Sequence, residues 1–212
     1  MISIKSFVFN EIAANCFVLY DDTRDCVIVD PGCNCEREQE KLKAFIEGNS
    51  LKPAFVINTH GHFDHIFGNA WVKRYFQCPV IMHPEDLELI QHADKYAGLF
   101  GFEIEKQPLP DRFVIHGDHL QFGSSQLDII HVPGHSPGSV CLYSNESRFV
   151  ICGDVLFNGS IGRSDLPGGN HFLLVQGIRE KLLILPRDTV VWPGHGPHTT
   201  IGHEYDTNPF LN

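Results

Sequence analysis

Positive charge is scarce in this sequence: 16 Lys and Arg stand against 26 Asp and Glu, a formal net charge of -10. No basic run offsets that balance, which argues against a general nucleic-acid surface and leaves room only for a local positive pocket. No uninterrupted apolar run is long enough to span a bilayer. The opening Met1-Ile2-Ser3-Ile4-Lys5 lacks a signal-peptide pattern. A cytoplasmic location without a membrane partner is the expectation. Cysteine is present in an odd number, seven, and Cys33 and Cys35 form a Cys-x-Cys pair with no second pair at zinc-ribbon spacing. Cys26, Cys141 and Cys152 sit in apolar, strand-like stretches and read as buried free thiols of a reducing compartment. No Ser, Cys or Lys nucleophile arrangement is recognisable, so catalytic power has to come from another group.

What is present is an apolar share of 42% in 212 residues, enough for one substantial core or two packed halves sharing a site. Short apolar or alternating segments predict strands at 2–9, 16–19, 26–29, 53–58 and 79–82. Helical spacing predicts helices over 36–46, with Leu42, Phe45 and Ile46 on one face, and over 69–76. Residues 85–112 break the rhythm with Pro84, Pro108, Pro110, Gly98 and Gly101. A helix is predicted across 85–93, and the apolar, Gly-rich stretch 96–102 reads either as a mobile cover or pocket wall or as a loop packed on the core. The second half predicts strands at 114–115, 120–122, 127–132, 139–143, 149–152 and 189–192, and helices at 172–183 and near 199–205. Two sheets face to face with helices outside would bury both apolar sets.

The most informative segment is 59–65, Thr-His-Gly-His-Phe-Asp-His. His60, His62, Asp64 and His65 crowd three imidazoles and a carboxylate into a strand end and the turn after it. A binuclear metal site asks for this, because its ligands must be divided between two adjacent ions. His135, in a Pro-Gly-His turn, completes a first trio with His60 and His62. His195, in a similar Pro-Gly-His turn, completes a second with Asp64 and His65. Asp154, at another strand end, has two oxygens able to bridge them. Two divalent cations outweigh Asp64, Asp154 and a hydroxide, which favours a small anionic substrate.

Those residues carry a resemblance to the metallo-beta-lactamase superfamily, whose His-x-His-x-Asp-His signature fits residues 59–65. Within it the chain resembles the short glyoxalase-II-like, or hydroxyacylglutathione hydrolase-like, branch, through residues 133–139 (PGHSPGS), 153–169 (GDVLFNGSIGRSDLPGG) and 193–204 (PGHGPHTTIGHE). The resemblance covers essentially the whole chain. It implies an α/β fold, an αββα sandwich of two mixed sheets flanked by helices, as one domain over residues 1–212. It implies the same ligand division, with Asp154 bridging, and gives Arg163 the slot of a basic residue that contacts glutathione. An aromatic residue two positions further in the full-length enzymes is replaced here by Asp165. The C-terminal glutathione-binding helical domain of those enzymes is expected to be absent, since 17 residues follow His195.

The expected function is a cytoplasmic thioesterase acting on a small anionic thioester, S-2-hydroxyacylglutathione such as S-lactoylglutathione. Attack by a metal-bound hydroxide is the expected chemistry, with Asp64 orienting the nucleophile as the catalytic side chain. Two divalent ions are the expected cofactors, zinc first, with iron or manganese as alternatives. The protein is expected as a monomer or homo-oligomer. The principal alternative is a mononuclear iron persulfide dioxygenase using His60, His135 and Asp154. Beta-lactam hydrolysis and a non-catalytic metal-binding module rank lower.

Overall fold

The computed structural model describes residues 1–211. Strands β1 (Ser3–Phe9), β2 (Ala14–Tyr20) and β3 (Asp25–Val29) form an antiparallel meander. Alternation along β2 and β3 sends Phe17, Leu19, Val27 and Val29 to one side, and Cys16, Val18, Cys26 and Ile28 to the other. Helix α1 (Glu36–Gly48) covers the second side with Leu42 and Ile46, one turn apart. The chain continues through β4 (Lys52–Ile57), α2 (Phe63–Ile66), α3 (Asn69–Phe76), β5 (Val80–Met82), α4 (Leu87–Gln91), α5 (Ala93–Leu99) and β6 (Arg112–Phe113). Strands β1 to β6 form one six-stranded sheet in sequence order, parallel from β3 onward.

The second half contributes β7 (His119–Phe122), β8 (Ser125–His131), β9 (Val140–Ser144), β10 (Phe149–Gly153), a small hairpin of β11 (Leu156–Phe157) and β12 (Ser160–Ile161), α6 (His171–Gly177), β13 (Val190–Pro193), β14 (Thr199–Thr200) and α7 (Ile201–Thr207). Its six-stranded sheet has the order β14-β13-β10-β9-β8-β7. The two sheets face each other through Phe17, Leu19, Val29 and Ile57 from one and Leu127, Ile129, Leu142 and Ile151 from the other. The outer side of the second sheet buries Val132, Cys141, Val150 and Cys152 under Leu174 and Ile178 of the α6 region. The architecture is therefore the expected sandwich of two mixed sheets between helical layers.

Strand direction decides where the chemistry gathers. Strands β8 and β10 both run antiparallel to β9, and β13 runs parallel to β10, so all three point the same way. The turns leaving them carry His135, Asp154 and His195. In the first sheet β3, β4 and β5 are parallel, and the segments leaving them carry Asp30, residues 59–65 and Asp86. A hydrogen bond from Val140 N–H to the Thr59 carbonyl (2.8 Å) joins the sheets at this edge, as does one from Asn15 N–H to the Gly194 carbonyl (2.7 Å).

Several elements differ from the sequence expectation. The strand predicted at 114–115 lies two residues earlier, as β6, because Arg112 and Phe113 pair with β5. The helix predicted across 85–93 is a short 3-10 turn, Pro84–Asp86, followed by α4 and α5, which break at His92. Residues 93–99 are helical, so the 96–102 stretch is a helix end rather than a loop packed on the core, and Phe100 and Phe102 beyond it form a pocket wall. Predicted helix 172–183 is α6 followed by a π turn, Ile178–Leu182, with Leu183 N–H reaching the Ile178 carbonyl at 2.9 Å.

Opposite the site, Asp21 ties the sheets together. Its carboxylate accepts from the Thr23 N–H and hydroxyl (2.9 and 2.5 Å), and from the Ser124 N–H and Ser125 hydroxyl at the β7–β8 turn (both 2.8 Å). Burial opposes its charge, but these donors prevail and hold the group below the usual carboxylate range. Asp21→Asn should therefore cost about 2 kcal/mol of stability at neutral pH. The folded-state pKa lies below the reference value of 3.8, so the contribution is complete above that pH and disappears as pH falls through the folded-state value. Urea titrations of both proteins should show a gap at neutral pH that narrows below about pH 4. A gap that stayed constant into acid would contradict this role.

Candidate metal centre

His62 immediately precedes helix α2, and its extended backbone (φ -68°, ψ 145°) turns the chain from the β4 exit into the helix. That change separates His60 and His62 from Asp64 and His65. The fold then brings both groups to their distant partners. His60, His62 and His135 have ligand atoms within 4.8 Å of one another, and so do Asp64, His65 and His195. Asp154 stands between the trios: one oxygen lies 3.5 Å from His65 Nε2, the other 3.6 Å from both His135 Nε2 and His195 Nε2. All seven predicted ligand positions converge.

Hydrogen bonds at the backs of the rings give the cluster its chemical sense. His135 Nδ1 faces the Arg163 carbonyl at 2.8 Å, and His195 Nδ1 faces the Ala13 carbonyl at 3.1 Å. His65 Nδ1 lies 3.2 Å from Asp30 Oδ2. Thr59 Oγ1 donates to Asp30 Oδ2 (2.5 Å) and stands 3.1 Å from His60 Nδ1. Each of these rings meets an acceptor at Nδ1, so the neutral tautomer carries its proton there and turns a bare Nε2 inward. The result is a concentration of lone pairs. His65 Nε2 and His195 Nε2 are 3.1 Å apart, and His62 Nδ1 and His135 Nε2 are 2.8 Å apart. His60 Nε2 and Asp154 Oδ1 are buried with no hydrogen-bond partner. Ligand atoms crowded this closely need a proton or a metal cation among them, so the residues fit a pair of metal ions.

Titration behaviour among the protein groups points the same way. Burial and the neighbouring imidazoles drive His60 well below the ordinary histidine range, and bring His62 down to about 3. Burial alone would also depress His65, but Asp64, Asp154 and Asp30 outweigh it and push that ring up to about 10. Asp64, although buried, is held below the ordinary carboxylate range by His65 and His195. A cluster that raises one ring this far is asking for positive charge, which a metal supplies by replacing the proton.

Three supporting residues escape sequence reasoning. Asp30 is fully buried, sits in the left-handed region (φ 48°), and serves both trios through Thr59 and His65. It also adds a negative charge, so the site is less cationic than a count of Asp64 and Asp154 alone gives. Asp86 binds two ligand loops together: it accepts from Gly61 N–H (2.8 Å), the Ser136 hydroxyl (2.7 Å) and Gly138 N–H (2.6 Å). Asn15 donates to the Pro193 and Gly196 carbonyls, at 2.9 and 3.0 Å, and fixes the His195 turn. The available signal was position, since Asp30 directly follows β3 as Asp154 follows β10. Close approach leaves no room for a Cβ at several glycines of the site: one on Gly153 (φ 49°) would collide with Thr59 Oγ1, and one on Gly194 with Asp154 Oδ1.

A cavity of 290 Å³ opens over the cluster, walled by Ile12, Phe63, Phe100, Phe102 and Leu166, with Arg163 at its side. Phe63 packs against Phe100 and Phe102 at centroid separations of 5.5 and 5.7 Å. Another group, His83, Glu85 and His131, also lies within metal-binding distance. Its imidazoles are stacked nearly parallel at 4.0 Å, so their in-plane lone pairs do not meet at one point.

Comparison with known proteins adds the lineage. The family model of the metallo-beta-lactamase superfamily matches residues 10–195. Hydroxyacylglutathione hydrolase GloC of Haemophilus influenzae is 38% identical over 200 residues, covering 93% of this chain and 92% of that protein. Among solved structures, TTHA1623 in a di-iron-bound form superposes with a TM-score of 0.89 at 40% identity, over 98% of this chain and 100% of the other. The B3 metallo-beta-lactamase BLEG-1 superposes with a TM-score of 0.91 at 38% identity, over 99% and 100%.

Asp30 is placed to orient rings in both trios. Asp30→Asn should weaken metal binding by about 10- to 100-fold while leaving the far-ultraviolet circular dichroism spectrum unchanged. Competition against a chromophoric chelator measures it, and wild-type affinity in the variant would remove Asp30 from this role.

Proposed function

Because the chain belongs to the metallo-beta-lactamase superfamily, we propose that it is a metal-dependent hydrolase of small thioesters, specifically of S-2-hydroxyacylglutathiones such as S-lactoylglutathione. The observation that carries the proposal is the inward convergence of imidazole and carboxylate lone pairs, two of them buried without a partner. Similarity to GloC across nearly the full length supports the thioester class. On this reading His60, His62 and His135 hold one ion, Asp64, His65 and His195 hold the other, and Asp154 lies between them. Zinc and iron both suit the mixed nitrogen and oxygen donors.

When bound, the ions supply Lewis acidity, lowering the pKa of water and polarising the carbonyl. The chain's own residues do the rest. Asp64 faces the cavity with Oδ2 3.2 Å from His195 Nε2, and its low pKa keeps it an acceptor. It therefore orients the attacking water by accepting a hydrogen bond. Phe63, Phe100 and Phe102 wall the cavity with apolar surface, which excludes bulk water and strengthens electrostatic interactions within. A thiolate leaves without help from a protein acid, which accords with a cavity that lines its floor with acceptors.

Similarity to BLEG-1 favours a second reading, hydrolysis of a beta-lactam amide at the same centre. The dioxygenase alternative has less support, since it would leave His62, His65 and His195 without a task. Seven free cysteines suit a reducing, cytoplasmic setting, and among the described residues no helix is long and apolar enough to cross a membrane.

Metal-replete protein should consume the thioester absorbance of S-lactoylglutathione, and chelation should abolish that turnover. Asp64→Ala should lower kcat by at least about 100-fold with the fold intact. Absence of thioester turnover, together with chelator-sensitive opening of a chromogenic cephalosporin, would replace this reading with the second one.

A further inference from the structure

Arg163 is the one Lys or Arg side chain lining the cavity among the described residues. Its main chain and side chain have separate tasks. The carbonyl holds His135 Nδ1 at 2.8 Å. The guanidinium is gripped in a bidentate pair by Asp165: Nε donates to one carboxylate oxygen and Nη2 to the other, both at 2.8 Å. This is the fork geometry with which an arginine would receive a substrate carboxylate. Asp165 therefore occupies one of the two bidentate edges of Arg163, the Nε and Nη2 edge, and its charge offsets that of the guanidinium facing any anionic substrate. The side chains are exposed by 55% and 71%, so the pair sits at the rim and can open without disturbing the carbonyl that orients His135. The aromatic and aliphatic side chains around the remainder of the wall offer no substitute charge.

We infer that Asp165 is a specificity-determining residue: by clamping Arg163 it competes with carboxylate groups of the substrate, and so tilts the site toward thioesters whose thiol part is uncharged. The substrate class rests on the thioesterase reading, while the clamp itself does not. Within that reading, glutathione thioesters bind by displacing Asp165 from Arg163, and their KM carries the cost of breaking the pair. Removing the Asp165 carboxylate frees the guanidinium, and the benefit goes to ligands that bear a carboxylate. The benefit also requires Arg163, which separates a released arginine from simple loss of a nearby negative charge.

The test is a double-mutant cycle on metal-replete protein: wild type, Asp165→Ala, Arg163→Ala and the double variant. Steady-state kinetics compare S-lactoylglutathione with the lactoyl thioester of N-acetylcysteamine, whose thiol part is neutral. In Asp165→Ala the ratio of the glutathione KM to the neutral KM should fall by about fivefold, the scale of one exposed ion pair, and the Arg163→Ala background should erase the fall. Calorimetric Kd values of S-methylglutathione on the same four proteins should follow the same pattern. An unchanged ratio, or an equal gain in the Arg163→Ala background, overturns the inference. If no protein turns over either thioester, the thioesterase reading fails, and the calorimetric cycle still decides the role of Asp165. Absence of S-methylglutathione binding to Asp165→Ala overturns it.

Discussion

Ligand nitrogens crowded to within roughly three ångströms of one another are the constraint on which the rest of this structure depends. His65 Nε2 and His195 Nε2 are 3.1 Å apart, and His62 Nδ1 and His135 Nε2 are 2.8 Å apart. Such an arrangement is unfavourable by itself and has to be enforced by its surroundings. Enforcement comes from acceptors behind the rings: the Ala13 and Arg163 carbonyls, Thr59 and Asp30. These are backbone or short side-chain groups with few torsions to relax. The imidazoles of His60, His65, His135 and His195 are therefore held in direction by the fold, before a cation arrives.

Strand direction explains how so many groups reach one place. Strands β3, β4 and β5 of the first sheet and β8, β10 and β13 of the second run toward the same edge, and their exit segments supply the ligands together with Asp30 and Asp86. Tight turns have to pass each other there, which is why Gly153 and Gly194 have no room for a Cβ. Asp86 then spans from the first sheet to the second, accepting from Gly61 on one ligand loop and Ser136 and Gly138 on another. Burial raises its pKa against the pull of those donors, and three hydrogen bonds offset the cost of its position.

Charge accounting changes once Asp30 is included. Two divalent ions with a hydroxide, as proposed for this centre, would be balanced by Asp64, Asp154 and Asp30, so such a centre by itself would exert little general pull on anions. Recognition of a charged substrate then falls on the periphery, where Arg163 is already held by Asp165. Selectivity in this protein is better sought at the rim of the cavity than among the metal-binding groups.

The sandwich, its strands and the seven converging positions are legible in the sequence because they depend on local pattern. The short apolar runs at 16–19 and 26–29 need no partner to be recognised, and residues 59–65 crowd donors together within a few residues. The Pro-Gly-His turns around His135 and His195 are equally local. Asp30, Asp86 and Asn15 carry no such mark: each is an ordinary polar residue whose meaning comes from a contact with a chain segment far away. The same holds for the clamp between Arg163 and Asp165, two residues apart in sequence yet significant only because a cavity opens beside them. By itself the sequence determined which atoms can bind metal and which segments become strands, since valence and period are properties of residues and their near neighbours. Tertiary structure alone decided which lone pairs face inward and which charges are already taken, because those depend on distances between segments that only packing brings together.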